Sequence, residues 1–278
     1  MKSLRRLSVL AILVFILSFS GCMHGPDREG SFTRELTVSG KTVLDVQSGA
    51  GAVSVRPGSG EKVTVRARIR ARGLFTGMSG AEKVKRIEDN PPVVQQGSTI
   101  RVGRISDSEL RKNVFIDYDI TLPADAQINI STGAGNINLR DLKGPVRAST
   151  GAGTILAEDL ADDVRLESGA GHVEVRGARG RLDAKSGAGS IKASGEPKKD
   201  WRLEVGAGSI HVEAPGDASF ELEAETGIGK VTVSPDFHLK ASSTSNSRVY
   251  GTVGNGGPVL HVNNGAGSID IAAGAGRN

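Results

Sequence analysis

Apolar and polar residues alternate along most of the chain from about residue 33, and pairs of glycines interrupt the alternation at regular intervals. Val146-Arg147-Ala148 and Val164-Arg165-Leu166 precede such glycines, and Val173-Glu174-Val175 and Ile191-Lys192-Ala193 follow them. An apolar residue at every second position is typical of a β-strand with one buried face. The pattern therefore predicts one short strand before and one short strand after each pair of glycines.

The glycine pairs belong to a repeat. From Gly133 onward, the first glycines of successive Gly-x-Gly tripeptides lie 18, 18, 18, 19, 21 and 38 residues apart. Because 38 is twice 19, this spacing predicts a unit of about 18–21 residues, with one unit that lacks its glycines. We predict that the pair forms a tight corner of every unit, where glycine allows a positive φ and leaves no Cβ between stacked neighbours. The predicted corner glycines are Gly49, Gly51, Gly133, Gly135, Gly151, Gly153, Gly169, Gly171, Gly187, Gly189, Gly206, Gly208, Gly227, Gly229, Gly265 and Gly267.

A unit of this length is too short to bury its own apolar face. Stacked copies solve this problem, because equivalent strands pair in parallel about 4.8 Å apart and their inward side chains form continuous columns. Parallel crossover connections are nearly always right-handed. The predicted fold is therefore all-β, a right-handed parallel β-solenoid, or β-helix, with an irregular N-terminal capping region.

One inward column, just before the corner, is mostly polar. We expect a buried ladder in which these side chains bond to one another or to the corner backbone, since buried polar groups are nearly always hydrogen-bonded. A polar conduit is the alternative. The column consists of Ser48, Thr132, Thr150, Ser168, Ser186, Val205, Thr226 and Asn264.

Residues 33–127 repeat less regularly than residues 128–272. Strand-like alternation at 62–66, 99–102 and 114–120 is separated by a possible short helix at 79–88, before the break at Asn90-Pro91-Pro92. We predict irregular coils in 33–127 that cap one end of the solenoid, with an insertion at 72–98. The regular solenoid then spans 128–272, and 273–278 form a tail.

The first 21 residues have the pattern of a lipoprotein signal peptide. Lys2, Arg5 and Arg6 precede an apolar stretch from Leu7 to Phe19, which is short for a helix that spans a bilayer. The following Ser20-Gly21-Cys22 resembles the lipobox of bacterial lipoproteins, although Phe19 stands where that motif usually has Leu. The resemblance implies lipidation of Cys22, a polar linker at 22–32 and a membrane anchor. An uncleaved anchor and an ordinary signal peptide are the alternatives.

Cysteine content and charge agree with export. Cys22 is the only cysteine, so the chain must be stabilised by packing and backbone pairing without an internal disulfide. By resemblance to lipoprotein sorting, Met23 after the cysteine implies the outer membrane. Removal of residues 1–21 leaves 32 basic and 31 acidic residues, so no nucleic-acid partner is expected.

The chain resembles the bacterial putative-adhesin β-solenoid families, domains of unknown function that repeat Gly-Ser/Ala-Gly-x-Ile. The likeness covers about residues 33–272 and is clearest where a strand ending in Leu122-Pro123 leads to Thr132-Gly133-Ala134-Gly135-Asn136-Ile137. The resemblance implies a non-catalytic, adhesin-like role in the cell envelope. Fold alone does not fix function.

Three kinds of site do not match the residues. A calcium roll needs an Asp two residues after the last glycine, where this chain has Ile137, Ile155 and Val173. A dinucleotide fingerprint needs a third glycine and a following helix. No two histidines lie at the spacing of metal ligands. We therefore expect no cofactor and no metal.

Catalysis also lacks clear candidates. Glu158-Asp159 and Asp162-Asp163 are carboxylate pairs, but both fall in a predicted turn between units, and aromatic residues for stacking sugars make up only 4% of the chain. We predict a cell-envelope lipoprotein, not an enzyme, that binds an envelope protein or glycan or has a structural role. A solenoid enzyme acting on an envelope polysaccharide and an envelope sensor or assembly factor are the alternatives. The oligomeric state is left open.

Overall fold

The computed structural model describes residues 28–72 and 77–274. Cys22, the predicted signal peptide and most of the predicted C-terminal tail lie outside these residues. The described chain is almost entirely β, with one large, mostly parallel sheet and two short helices.

The described residues form 19 strands and two short helices. The first half contains β1 Arg28–Thr37, β2 Val43–Ala50, β3 Val53–Pro57, β4 Lys62–Ala71, α1 Gly80–Asp89, β5 Val93–Gln96, β6 Thr99–Val102, α2 Ser108–Arg111, β7 Val114–Leu122, β8 Gln127–Ala134 and β9 Ile137–Arg140. The second half contains β10 Val146–Ala152, β11 Ile155–Glu158, β12 Val164–Arg176, β13 Leu182–Ser194, β14 Trp201–Pro215, β15 Phe220–Ile228, β16 Val231–Val233, β17 Leu239–Thr244, β18 Arg248–Val253 and β19 Val259–Gly274.

Successive units pair in parallel and in register. Val146 lies beside Val164 and Val164 beside Leu182, while after the corner Ile155 lies beside Val173 and Val173 beside Ile191. We call the side formed by the strands before the corner the first wall, and the side formed by the strands after it the second wall. Each unit, or coil, contributes one stretch to each wall.

The corner is a bend in a continuous strand in several of the later coils. In β12 the inward residues are Leu166 and Ser168 before the glycines, and Val173 and Val175 after them. The inward positions thus change from even to odd numbers, which requires the backbone to turn. The sequence predicted two strands separated by a turn, and this description fits β8/β9 and β10/β11 but not β12, β13, β14 and β19, because their pairing continues through the glycines.

The core is a stack of aliphatic columns between the two walls. The first apolar residue after each corner from Gly133 onward is β-branched, and these residues form a column that is at most 5% exposed at every position: Ile137, Ile155, Val173, Ile191, Ile210, Val231 and Ile269. Trp201, the largest fully buried side chain, lies in the column that contains Leu182, Leu260 and Leu222. Phe220 is also fully buried and lies two residues before Leu222. The predicted stack with its apolar columns inside is confirmed.

The coil order departs from chain order at the C-terminal end. β19, the last strand, pairs in parallel with β14 on one side and with β15 and β16 on the other. The sequence predicted a coil without glycines in the 38-residue interval before Gly265, and this prediction is wrong. The interval contains β16 and an antiparallel hairpin, β17 and β18, whose second strand pairs with β15 and covers the end of the first wall.

The N-terminal end has a similar inversion. β6 and β7 form the outermost coil, and the earlier β2 and β3 lie between them and β8 and β9. Antiparallel strands close this end, with β5 on β6 and with β4 and then β1 on β7. β1 begins at Arg28, inside the segment predicted as linker, and α1, capped by Ser79, confirms the predicted short helix.

Candidate functional site: the outer face of the first wall

The corner glycines are required for two different reasons. Gly171, the second glycine of its pair, has φ of 143°, a region that side chains disfavour. Gly169, the first, is not in that region, but a Cβ on it would lie 2.5 Å from the carbonyl oxygen of Gly151 in the stacked coil. A positive φ was expected for the corner as a whole, and the structure assigns it only to the second glycine of each pair.

The polar ladder beside the corner bonds to the backbone of the neighbouring coil. Ser168 Oγ donates to the carbonyl oxygen of Gly153 at 3.2 Å, and Ser186 Oγ donates to that of Gly171 at 3.1 Å. Thr150 and Asn264 make equivalent bonds. Thr132 Oγ1 is buried without a partner. The ladder therefore links neighbouring corners through bonds to the corner backbone, which is one of the two arrangements predicted for a buried ladder. These bonds favour the ladder over the alternative of a polar conduit.

The outer face of the first wall carries two parallel columns of polar side chains. Toward the C-terminal end, these side chains form ion pairs across the strands. Lys185 Nζ lies 2.8 Å from Glu204 Oε2, and Arg202 Nε lies 2.5 Å from Glu204 Oε1. The ammonium of Lys185 and the guanidinium of Arg202 lower the pKa of the Glu204 carboxyl below its ordinary value. Arg165 contacts both Glu167 and Asp183.

The pairing continues onto the C-terminal cap. His261 Nδ1 lies 3.0 Å from Glu223 Oε2. The guanidinium of Arg248 and the hydroxyl of Tyr250 both donate to Glu225, and they lower the pKa of its carboxyl. In this part of the wall, Glu204, Glu223 and Glu225 are therefore each engaged by neighbouring side chains.

The N-terminal part of the same wall is different. A shallow recess of about 260 Å³ lies across β2, β8 and β10, bounded on the far side by Arg165 and Glu167. We call this the polar recess, and its outward side chains are Asp45, Gln47, Asn129, Ser131, Arg147 and Ser149. Within the described chain, Arg147 and Asp45 make no ion pair, and the only hydrogen bond from a side chain of the polar recess runs from Ser149 Oγ to the carbonyl oxygen of Ile130.

A second depression, of about 410 Å³, surrounds Asp183, Arg202, Glu223 and His261. Asp183 lies on β13 and Glu223 on β15, with β14 and β19 between them. Three strand spacings separate these carboxylates by roughly 14 Å, whereas glycosidase pairs lie about 5–9.5 Å apart. Asp183 and Glu223 therefore lie too far apart to act as a glycosidase pair.

Two of the four acidic residues considered as catalytic candidates, Glu158 and Asp163, contact residues of neighbouring coils. Glu158 pairs with Arg140 and Arg176 on the second wall. Asp163 accepts a hydrogen bond from the backbone N–H of Arg181 in the next coil. These acids hold neighbouring coils together.

Two further findings concern the described residues only. Between 28 and 72 and between 77 and 274, no three His, Cys, Asp or Glu side chains are grouped to hold a metal ion. In the same ranges, no helix is long and apolar enough to cross a membrane. Lipidation of Cys22 lies outside the described residues and stays a prediction.

Comparison with known proteins gives a family. The family model described as Toastrack DUF4097 matches residues 107–272. No curated protein matches the chain.

Solved structures with low identity also match. A putative cell adhesion protein from Clostridium sporogenes is 16% identical, with 89% of this chain and 100% of that chain covered and a TM-score of 0.34. A putative adhesin from Bacteroides fragilis is 12% identical, with coverages of 87% and 97% and a TM-score of 0.42. A putative lipid binding protein from Parabacteroides distasonis is 12% identical, with coverages of 87% and 96% and a TM-score of 0.30. The family match spans more than half of the sequence, from α2 through β19, and on that ground the chain belongs to the Toastrack DUF4097 family.

Proposed function

We propose that this protein is a lipid-anchored, non-catalytic binding module of the bacterial cell envelope, which presents the outer face of its first wall to an envelope glycan or protein. One observation carries the proposal. The wall is a continuous, in-register surface that displays polar side chains in two parallel columns.

The anchor belongs to the same proposal. Residues 1–21 form the signal peptide, Cys22 receives the lipid, and Met23 directs the protein to the outer membrane. β1 begins at Arg28, so only five residues separate it from Cys22 and span at most about 20 Å. The N-terminal cap is then held close to the lipid surface, with the stack of coils extending from it. The connections of the coils are expected to be right-handed.

Metabolic labelling tests the anchor. Wild-type protein is expected to incorporate a labelled fatty acid and to fractionate with the outer membrane. The Cys22→Ala variant is expected to keep its signal peptide and to lose the label. An unlipidated, soluble wild-type protein in the periplasm would contradict the proposal.

A combined glycan array and hydrolysis screen tests the binding role. The mature lipoprotein is expected to retain a ligand without releasing any product. Product release that a single Asp or Glu substitution abolishes would establish the enzyme alternative instead. Pull-down from intact envelopes covers protein partners and the sensor or assembly alternative.

A further inference from the structure

The polar recess is where the first wall leaves charges and hydrogen-bonding groups unused. In strand order, the first column runs Asp45, Asn129, Arg147, Arg165 and Asp183. Arg165 and Asp183 pair with each other, with Nη1 and Oδ2 3.5 Å apart. Arg147, one strand away, has the same side chain and outward position as Arg165 but makes no ion pair in the part of the chain that the structure describes.

The shape of the recess follows from side-chain length. The second column runs Gln47, Ser131, Ser149, Glu167 and Lys185. The two serines are short, so the surface dips between the longer side chains on either side. The volume of about 260 Å³ lies below the ~300–1,000 Å³ of sites for drug-sized ligands. The recess therefore fits one small polar group of a longer ligand that lies along the wall.

The chemistry of the lining favours a sugar over a protein surface. The outward side chains are two amides, two hydroxyls, one carboxylate and one guanidinium, and the two aliphatic residues that also line the recess, Ile130 and Ala148, have buried side chains. Protein partners usually insert apolar or aromatic side chains at the centre of an interface. Sugar hydroxyls, in contrast, both donate and accept hydrogen bonds. They can therefore pair with the amide and hydroxyl groups of the polar recess, which also do both.

The unpaired guanidinium adds a requirement for negative charge. An arginine fork binds a carboxylate through two parallel N–H···O bonds. Asp45 lies two strands away, at about 10 Å, and can only accept hydrogen bonds when ionised. The ligand must therefore offer a carboxylate at one end and hydroxyl donors at the other.

We propose that the polar recess binds one carboxylate-bearing sugar residue of an acidic polysaccharide, with Arg147 holding the carboxylate. Asn129 and Gln47 contact the ring hydroxyls, and Asp45 accepts a hydroxyl from the same or the adjoining sugar. This inference rests on the proposed binding function and names the ligand class for its surface.

Calorimetry on the mature full-length lipoprotein in detergent tests the inference, with oligogalacturonate as the probe. Arg147→Gln is expected to weaken binding at least about tenfold, because a charge-assisted pair is lost. Arg147→Lys should restore only part of the affinity, since an ammonium lacks the fork. The matched control is Arg176→Gln, which removes an arginine of the second wall that is engaged with Glu158 and Glu174, and it should leave binding unchanged. Circular dichroism confirms that each variant is folded.

Two further probes separate the possible outcomes. The same oligosaccharide with its carboxyls reduced to alcohols should bind weakly, and Arg147→Gln should not weaken it further. Oligoglutamate should bind more weakly than oligogalacturonate. Equal loss at Arg147 and Arg176, or oligoglutamate binding as tightly as the sugar, would overturn the inference. Capture of another glycan or of an envelope protein that is insensitive to Arg147→Gln would overturn it while leaving the proposed function standing, whereas capture of neither would count against both.

Discussion

In the middle of the stack, the successive coils from β8 to β14 pair with one another in chain order, and partner residues lie 18 or 19 positions apart. At the two ends this rule fails. Leu260 of β19 pairs with Trp201, 59 residues earlier, and also with Leu222 of β15. Val43 of β2 pairs with both Thr99 and Gln127.

The difference shows how an open stack can be closed without a separate capping domain. In each case the coil nearest the chain terminus is enclosed one layer inside the stack, and a coil that is farther from that terminus in sequence lies outside it. The outer coils are then covered by antiparallel strands, β4 and β5 at one end and β18 at the other. Unpaired edges of sheets promote aggregation, and a loose terminal coil would provide one. The ends gain protection through long-range pairing, which costs more loop-closure entropy than the local pairing of the middle.

Removing the enclosed C-terminal coil should have the largest effect. A chain ending at Pro258 lacks β19, whose Leu260, Val262, Ile269 and Ile271 are fully buried. Each such side chain contributes about 1.5–3 kcal/mol, so the free energy of unfolding should fall by more than about 5 kcal/mol. β15 to β18 should become sensitive to protease, because β15 and β16 lose their parallel partner. Thermal melting followed by circular dichroism, together with limited proteolysis, measures both effects.

The matched control removes a coil of similar length from the middle. Deletion of residues 164–181 joins β10 and β11 to β13 in unchanged register, because Val146 and Leu182 both pair with Val164. This variant should melt in one sharp transition and resist protease. If the internal deletion unfolds the protein while the chain ending at Pro258 remains stable, the contrast between middle and ends is wrong.

Adding a single methyl group at a corner glycine should destabilise the middle of the stack but not its N-terminal end. In Gly169→Ala the new Cβ meets the carbonyl oxygen of Gly151 at 2.5 Å, so the backbone must shift. We expect the free energy of unfolding to fall by about 1–3 kcal/mol, as in other overpacked sites. Gly49 holds the same corner position in the enclosed N-terminal coil, but no atom lies within 4 Å of its virtual Cβ. Gly49→Ala should therefore be neutral or stabilise by up to about 1 kcal/mol in urea unfolding. Equal losses at both positions would show that stacking does not cause the constraint.

The buried hydroxyls allow a smaller test of the same kind. Thr150 Oγ1 donates to the carbonyl oxygens of Gly135 and Ala152, at 3.1 and 3.2 Å. Thr150→Val should therefore cost about 0.5–1.5 kcal/mol. Thr132, one coil closer to the N-terminal end, is equally buried but lacks a partner, so Thr132→Val should be neutral or stabilising. The difference between the two urea midpoints is the informative quantity, and a Thr132→Val loss as large as that of Thr150→Val would indicate a bond that the structure does not show.

The contrast between the middle and the ends also explains which features of the fold can be predicted from the sequence. The strand-glycine-strand pattern and its spacing predict the walls, the aliphatic columns and the position of the ladder, because each depends on residues within one coil. They do not predict that β19 lies between β14 and β15. The Gly265-Ala266-Gly267 corner could stack on any other Gly-x-Gly corner. The motif therefore shows that this coil stacks, but it does not identify the coil on which it stacks. The 38-residue gap suggested a coil without glycines because a hairpin such as β17 and β18 leaves no signal at that period.

The polar recess was similarly hidden from the sequence. Arg147 and Arg165 occupy equivalent positions in consecutive units, and only the cross-strand partners distinguish a free guanidinium from a paired one. Asp45 lies 84 residues before its neighbour Asn129, in a region that appeared irregular. A search for outward positions where short side chains replace charged ones in successive coils would have found Ser131 and Ser149.

Surface charge should give the smallest effect and should again differ between the middle and the N-terminal end. Lys185 and Arg202 keep the pKa of Glu204 below its ordinary value. Because this pKa is lowered on folding, the stabilisation is present above the ordinary glutamate value of about 4.3 and is lost as pH falls through the folded-state value. Glu204→Gln should therefore lower the free energy of unfolding at pH 7 by less than about 1 kcal/mol, since the pairs are partly solvated. The gap between wild type and Glu204→Gln should close as the pH falls below the folded-state pKa of Glu204. Asp45→Asn, in the unpaired polar recess, should leave the urea midpoint unchanged at pH 7, and a loss there as large as that of Glu204→Gln would mean that the recess carboxylate serves stability and is not free for a ligand.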